Sequence, residues 1–541
     1  MPAHRGQRAR PSRERAHLVL FLHAHLPFVR HPGEQNALAE DWLFEAVTET
    51  YIPLLTLAEG WRRDRVHARL TLSLSPPLLE MLRDDLLAQR YVERLNVLLE
   101  LAESEVRRNR GDDRFHDTAV MNRARLVDTL ERFEKLYCRD LVAAFRFFQE
   151  CGTFEIVTSC ATHAFLPCFD TGYRRAQIRL GAKCYESHFD RRPTGMWLPE
   201  CGFVPGIDRL LADEGIGFFV VDAHGFELAD PTPVFATYSP IVCPSGVFAF
   251  PRDPESSAQV WSEASGYPGD ARYREFYRDL GHELDDTSIA QLLLPDGSRR
   301  SLGLKYHRVT GADVALDDKQ PYHRGHALQA ANEHAAHFVR ARAARSEHVR
   351  NLTLRPAVLV APYDAELFGH WWFEGPEFLD FVVRRSAREQ SEYRLSTATD
   401  VMDSGMEFQV AMPAASSWGA HGYNDTWLND ANDWIWPHLH RAAHELARIA
   451  RERVGAQGLE ARALNQLVRE LTLASSSDWP FMITMGTTSA YGESRVQTHV
   501  NRFNRLVRDI EGGTIDEAWL AKIEAYDNIF QDLDYQGLGL G

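Results

Sequence analysis

The stretch Val358-Leu-Val-Ala-Pro-Tyr-Asp364-Ala-Glu366-Leu-Phe-Gly-His370-Trp-Trp372 begins as a short β-branched apolar run and ends in carboxylates and aromatics. A run of that length, apolar on both faces, reads as a strand buried in a parallel sheet. Working outward, the same pattern recurs at 17–23, 68–74, 154–158, 194–198, 217–221 and 247–250, making seven strands with 357–360. Most are followed by groups able to do chemistry: His23 and His25, Ser73 and Ser75, His163, Glu200, Asp222 and His224, Arg252 and Asp253, Asp364 and Glu366. In βα barrels the reactive groups cluster at the C-terminal strand ends. Seven such strands predict an α/β barrel with one composite site.

Two regions break the alternation. Residues 82–150 carry long helical periodicity, as in Leu126, Leu130, Phe133, Leu136 and Leu141, and predict a helical insertion. After Thr399 strand signals cease, and helices are expected over 436–453, 464–475 and 494–510. The domain reading is a barrel at 16–404, interrupted by the insertion, and a helical domain at 405–541. The segment 416–437 reads as a loop rich in Trp, Asn, Asp and Gly.

The chain has 541 residues, with 60 Lys+Arg against 76 Asp+Glu, a net charge of −16. Five arginines fall in the first 17 residues, so the remainder is more acidic still. An acidic body argues against nucleic acid or an anionic membrane as partner, because both require basic patches. Seven cysteines without CxxC spacing argue against a disulfide framework or structural zinc and favour a reducing compartment. The apolar run Leu18 to Leu22 is shorter than the roughly 7–15 residues of a signal peptide or the roughly 20 of a spanning helix. A cytosolic protein with a mobile tail of about 15 residues is expected, monomeric or homodimeric.

Seven of the 12 tryptophans (Trp371, Trp372, Trp418, Trp427, Trp434, Trp436 and Trp479) crowd into one stretch, 371–479. Sugar rings pack their C–H faces on aromatic rings, while their hydroxyls need polar partners. The segment Ser416-Ser-Trp418-Gly-Ala-His-Gly-Tyr423-Asn-Asp-Thr-Trp427 interleaves both kinds without helical spacing; the alternative is an aromatic core under the helices. Gly195-Met-Trp-Leu-Pro-Glu200 and the opening stretch each place a carboxylate after a strand. Glu200 is also open to the plainer reading of a first-turn helix residue. Two carboxyl groups on different strand ends suit glycosidic-bond chemistry, one attacking and one protonating. A rival reading joins His23, His25, His163, Asp222 and His224 as a zinc site of a polysaccharide hydrolase or deacetylase.

Taken together, His23-Ala-His-Leu-Pro27, Glu155-Ile-Val-Thr-Ser-Cys-Ala-Thr-His163, Trp197-Leu-Pro-Glu200, Ala361-Pro-Tyr-Asp364 through Trp372, and Ser475-Ser-Ser-Asp-Trp-Pro480 resemble glycoside hydrolase family 57, within it the 1,4-α-glucan branching enzymes. The resemblance runs from His23 to about Tyr491. Relatives often carry His-Gln-Pro where this chain has His-Ala-His-Leu-Pro, which is taken as a mark of the branching subgroup. The resemblance implies a distorted (β/α)7 barrel with a helical insertion and a C-terminal helical domain. It implies a retaining mechanism without metal or cofactor, with Glu200 as nucleophile and Asp364 as general acid/base. It implies glucan contacts at Arg252, Gly269, Trp418 and Asp478, and a cleft wall of His23, His25, His163, Trp42, Trp261, Trp427 and Trp479. Transfer to a 6-hydroxyl of an α-1,4-glucan makes an α-1,6 branch, as in glycogen-like polymers; transfer elsewhere makes an α-amylase or 4-α-glucanotransferase. Tyr238, in the loop Thr232-Pro-Val-Phe-Ala-Thr-Tyr238-Ser-Pro, resembles a loop tyrosine implicated in transfer.

Overall fold

The computed structural model describes residues 14–261 and 266–539, so most of the expected mobile tail lies outside the described residues. All seven expected strands are present: β1 (Ala16–Ala24), β2 (Leu70–Leu74), β3 (Phe154–Ser159), β4 (Met196–Trp197), β5 (Phe218–Val221), β7 (Phe248–Pro251) and β8 (Val358–Asp364). Two short strands were not anticipated, β6 (Ile241–Val242) and β9 (Tyr393–Leu395). Neither has the apolar run that marks a central strand.

Strands β4, β3, β2, β1 and β8 form a parallel sheet in that order, with β9 also paired to β1; β5, β7 and β6 form a second sheet. Two narrow seams join them. Gly195, just before β4, bridges to Phe218 of β5. The Asp253 amide, after β7, donates to the Val360 carbonyl of β8 at 2.8 Å. The ring of seven therefore closes, but through single contacts, which is the distortion. Gly195 is required at its seam: a Cβ there would meet the Phe218 ring at 2.3 Å. Every residue of β1 is buried, as a strand covered on both faces demands.

Between β2 and β3 lie the helices Asp85–Arg108, His116–Glu131 and Leu141–Glu150. A second long excursion, between β7 and β8, was not anticipated. It contains mostly irregular chain and then the helix Arg324–Thr353, whose buried face is alanine over its first turns and then Phe338, Val339 and Val349 with Arg342 and Ser346. After β9 the chain runs along the barrel, bridging Met412 to Asp230 and Ser416 to Phe203. It then forms the helices Ile435–Glu452, Gly458–Ala474, Asp478–Met485, Ser489–Gly512 and Glu517–Tyr526. No helix of the described residues is long and apolar enough to cross a membrane, and none of the seven cysteines is paired.

Candidate active site

Because the strands are parallel, their C-terminal ends open on one side, into a cleft of about 1100 Å³. Glu200 follows β4 on a tight turn in which Glu200 and Cys201 both have positive φ, 61° and 52°. Left-handed backbone costs a non-glycine residue on the order of 1–2 kcal/mol, and such strain gathers where a side chain must be aimed. The turn is held from outside the barrel: the Trp418 amide donates to the Glu200 carbonyl at 3.0 Å. The carboxylate is held too, Oε2 by Trp418 Nε1 and Oε1 by Ser477 Oγ, both at 2.8 Å. Burial raises its pKa, while these two hydrogen bonds favour the charged form and oppose the rise.

Behind Glu200 runs a chain of neutral groups. Ser477 Oγ lies 2.9 Å from His163 Nδ1, His163 Nε2 lies 3.0 Å from His23 Nε2, and His23 Nδ1 lies 3.2 Å from Ser73 Oγ. An ionised Glu200 only accepts, so Ser477 gives it its proton and accepts from His163 Nδ1–H. His163 Nε2 is then an acceptor for His23 Nε2–H, and His23 Nδ1 accepts from Ser73. One set of tautomers satisfies every link. Burial, with repulsion from neighbouring imidazoles, lowers the pKa of both His23 and His163 well below the usual range. They stay neutral, which keeps the tautomers fixed.

Asp364 ends β8, directly across the register from His23. Its surroundings are the opposite of those at Glu200. Among the described residues its carboxyl has no hydrogen-bond partner, and burial, then the charges of Glu366 and Glu200, push its pKa well up against the pull of Arg252. Glu366 is fixed by the Tyr51 hydroxyl at 2.5 Å and the His25 amide at 3.2 Å. Tyr51 lies in a π-helical turn, Val47–Tyr51, of the kind that often marks functional sites. Arg252 is braced by Asp222 at 2.9 Å and lies over the Trp418 ring at 5.7 Å.

His25, His163 and Asp478 each present one ligand atom, all within 4.8 Å of one another, and this trio is the part of the cleft able to hold a metal ion. The zinc set considered from sequence is not assembled. Asp222 is engaged by Arg252, and His224 Nε2 lies 2.7 Å from the Gly422 carbonyl. His25 bridges Ser75 at 2.8 Å and Asp478 at 3.1 Å.

Of the expected cleft residues, His23, His25, His163, Trp42, Arg252, Trp261, Trp418 and Asp478 do line it. Three expectations need correction, and a fourth, Trp427, holds as cleft wall but not as an open platform. Trp479 is fully buried, with its Nε1 donating to the Leu473 carbonyl at 2.7 Å, and does not line the cleft. Trp427 borders it but is only 1% exposed, stacked on Phe165 at 4.4 Å, so it offers no free ring face. Gly269 ends the short turn Tyr267–Gly269 outside the cleft lining. Tyr238 is directed elsewhere: its hydroxyl accepts from Arg345 Nη1 at 3.2 Å.

The free aromatic surface lies instead on Trp371 and Tyr277, 56% and 60% exposed, with Trp371 stacked on Phe276 at 4.6 Å. The doublet Trp371-Trp372 was visible in the sequence, but which ring faces out depends on packing: Trp372 is buried. Phe276 and Tyr277 had no signal, because they lie in the unanticipated excursion. Glu45 also faces the cleft, its carboxyl pushed up to about 7 by burial and lying 3.8 Å from His370. Ser477 sits within a stretch that carried the resemblance, yet nothing local marked it as a donor to Glu200.

A parallel, seven-stranded distorted barrel with two partly buried carboxyl groups facing an aromatic cleft defines a glycoside hydrolase of the kind read from the sequence. The chain belongs to glycosyl hydrolase family 57, whose profile matches residues 19–355. The profile described as "1,4-alpha-glucan branching enzyme, C-terminal" matches residues 438–537. The chain is 32% identical to the 1,4-alpha-glucan branching enzyme of Thermococcus kodakarensis, over 96% of this chain and 78% of that protein. Among solved structures it is similar to the alpha-amylase AmyC of Thermotoga maritima (42% identity, TM-score 0.91, covering 97% and 99% of the two chains). It is also similar to the family 57 branching enzyme of Pyrococcus horikoshii (32% identity, TM-score 0.86, covering 97% and 96%).

Proposed function

We propose that this chain is a retaining 1,4-α-glucan branching enzyme. The observation that carries the chemistry is the unequal treatment of two carboxyl groups across one cleft: Glu200 receives two hydrogen bonds, while Asp364 receives none from the described residues and faces other carboxylates. The first setting favours an anion and the second a neutral acid. Glu200 attacks the anomeric carbon as Asp364 gives its proton to the departing glucan oxygen. Asp364, now ionised, takes the proton from a 6-hydroxyl of an acceptor segment, and that oxygen displaces Glu200 to give an α-1,6 branch. The double displacement itself needs no metal or cofactor. Trp42, Trp261, Trp371 and Trp418 pack on glucose rings, and Arg252 and Asp478 hold hydroxyls. The barrel is the catalytic domain at 16–404 with 82–150 inserted, and 405–541 is a second domain that completes the cleft. The product is a glycogen-like glucan made in the cytosol, in keeping with seven unpaired cysteines.

Hydrolysis is the second reading. It is favoured by the likeness to an alpha-amylase and by Tyr238 standing away from the cleft, where it does not shield the intermediate from water. Incubation with amylose separates the two. New α-1,6 anomeric signals with few new reducing ends support branching; reducing ends alone mean that water is the acceptor.

A further inference from the structure

A second cavity, of about 380 Å³, lies between the helices Pro76–Leu82 and Thr171–Phe189 and the C-terminal segment 528–538. None of its lining residues belongs to the catalytic cleft. Cys184 and His188 stand four residues apart on the second helix, so both project from one face. Glu80 reaches them from the first. Its Oε1 lies 3.4 Å from Cys184 Sγ and 3.2 Å from His188 Nε2. All three ligand atoms fall within 4.8 Å of one another.

We propose that Glu80, Cys184 and His188 form a transition-metal site, suited to Zn²⁺, that clamps the C-terminal segment to the barrel. The spacing is the first argument. Tetrahedral zinc with bonds of about 2.3 Å to sulfur and about 2.0 Å to nitrogen and oxygen sets an S···O edge of about 3.5 Å and an N···O edge of about 3.3 Å. The observed separations are each close to these edges. The donor set is the second: one thiolate, one imidazole and one carboxylate select zinc or cobalt over calcium or magnesium. The third is the open side. The cavity leaves room for a water as fourth ligand, and Asp532 and Asp534 line it. The nearby cations are engaged elsewhere, Arg83 with Asp140 and Lys183 with the Gly537 carbonyl.

Without metal, burial and the Glu80 charge hold the Cys184 thiol protonated. Metal binding releases that proton to solvent as the thiolate forms, and His188 coordinates through the Nε2 lone pair. Glu80 also accepts the Phe530 amide on Oε2 at 3.3 Å, and Asn528 donates to Asp84 at 3.1 Å. Fixing Glu80 therefore fixes the segment after Tyr526. No CxxC pair announced this site, because its ligands come from two helices 104 residues apart between Glu80 and Cys184.

The test uses the full chain stripped by chelator and then given Zn²⁺ or Co²⁺. One metal per chain should survive dialysis, Co²⁺ should give a thiolate charge-transfer band, and amide exchange at Phe530 should slow. The cleft trio of His25, His163 and Asp478 has no thiol and cannot give that band. Cys184→Ser and His188→Gln should each weaken Zn²⁺ binding by more than about 100-fold, beyond what loss of an outer partner causes. Cys184→Ser should also abolish the band. His188 is the less buried of the two, so His188→Gln reads the site even if Cys184→Ser folds poorly. Failure of the wild type to retain metal, or unchanged Zn²⁺ affinity in the folded variants, overturns the proposal.

Discussion

The two ends of the cleft differ in who supplies their polar groups. At Glu200 the strand end comes from the barrel, but both side-chain donors, Trp418 and Ser477, arrive from the chain beyond β9. At Asp364 the immediate neighbours, Glu366, Arg252, Tyr51 and His23, all come from the barrel and its loops. One carboxyl group is stabilised as an anion by a region that the other never meets. The lesson is that the chain after β9 does more than roof the cleft. It supplies the two hydrogen bonds that favour the Glu200 anion, while burial and the Glu366 and Glu200 charges keep Asp364 protonated.

The largest effect should come from removing the anion itself. Glu200→Ala should lower kcat on amylose by about 10⁴-fold or more, as deletion of a covalent nucleophile does; retention of activity would place the nucleophile elsewhere. Asp364→Asn should cost about 10²–10⁴-fold on glucan, the usual worth of a general acid. The loss in kcat/KM, which reads formation of the glycosyl-enzyme, should be much smaller on a glycosyl fluoride, whose leaving group needs no proton, and equal losses on both would contradict the assignment.

The donors give the next test, read by pH. Activity rises as Glu200 ionises and falls as Asp364 loses its proton, so kcat/KM against pH is a bell. Trp418→Phe removes a hydrogen bond to an anion, worth about 1.5–3 kcal/mol, and should cost about 10–100-fold. Because the bond favours the charged form, its loss raises the Glu200 pKa and moves the acid limb to higher pH. Conversely, Glu366→Gln removes the stronger of the two negative charges raising Asp364, so the alkaline limb should move to lower pH. An unmoved acid limb in Trp418→Phe would mean that the C-terminal contribution is only steric. The smallest effect is expected at Tyr238. Its hydroxyl faces Arg345, so Tyr238→Ala should leave the ratio of branches to reducing ends unchanged within about twofold, the scale of a single contact away from the cleft (about 0.5 kcal/mol). A shift towards hydrolysis would show that the loop moves into the cleft.

What could be read in advance follows the same division. The barrel was legible because a buried parallel strand is a continuous apolar run, and its reactive residue stands at a fixed place just after it. His23, Glu200 and Asp364 were found that way. The partners from beyond β9 were not, because a hydrogen bond spanning the 218 positions from Glu200 to Trp418 leaves no local pattern. Ser477 is an ordinary serine until the fold brings it to Glu200. Tryptophans misled for a related reason: composition shows their number, but only packing decides that Trp371 is exposed while Trp427 and Trp479 are core. The excursion carrying Phe276 and Tyr277 is mostly irregular, and irregular chain has no periodicity to read.

The central claim is that Glu200 bonds to the sugar while Asp364 only moves protons. Treating Asp364→Ala with an α-maltosyl fluoride should load the enzyme but leave it slow to discharge, since no base activates the acceptor. Peptide mass mapping of the quenched protein should then find a maltosyl ester on Glu200. An adduct on any other residue, or full turnover of amylose by Asp364→Ala with none on Glu200, would contradict the account.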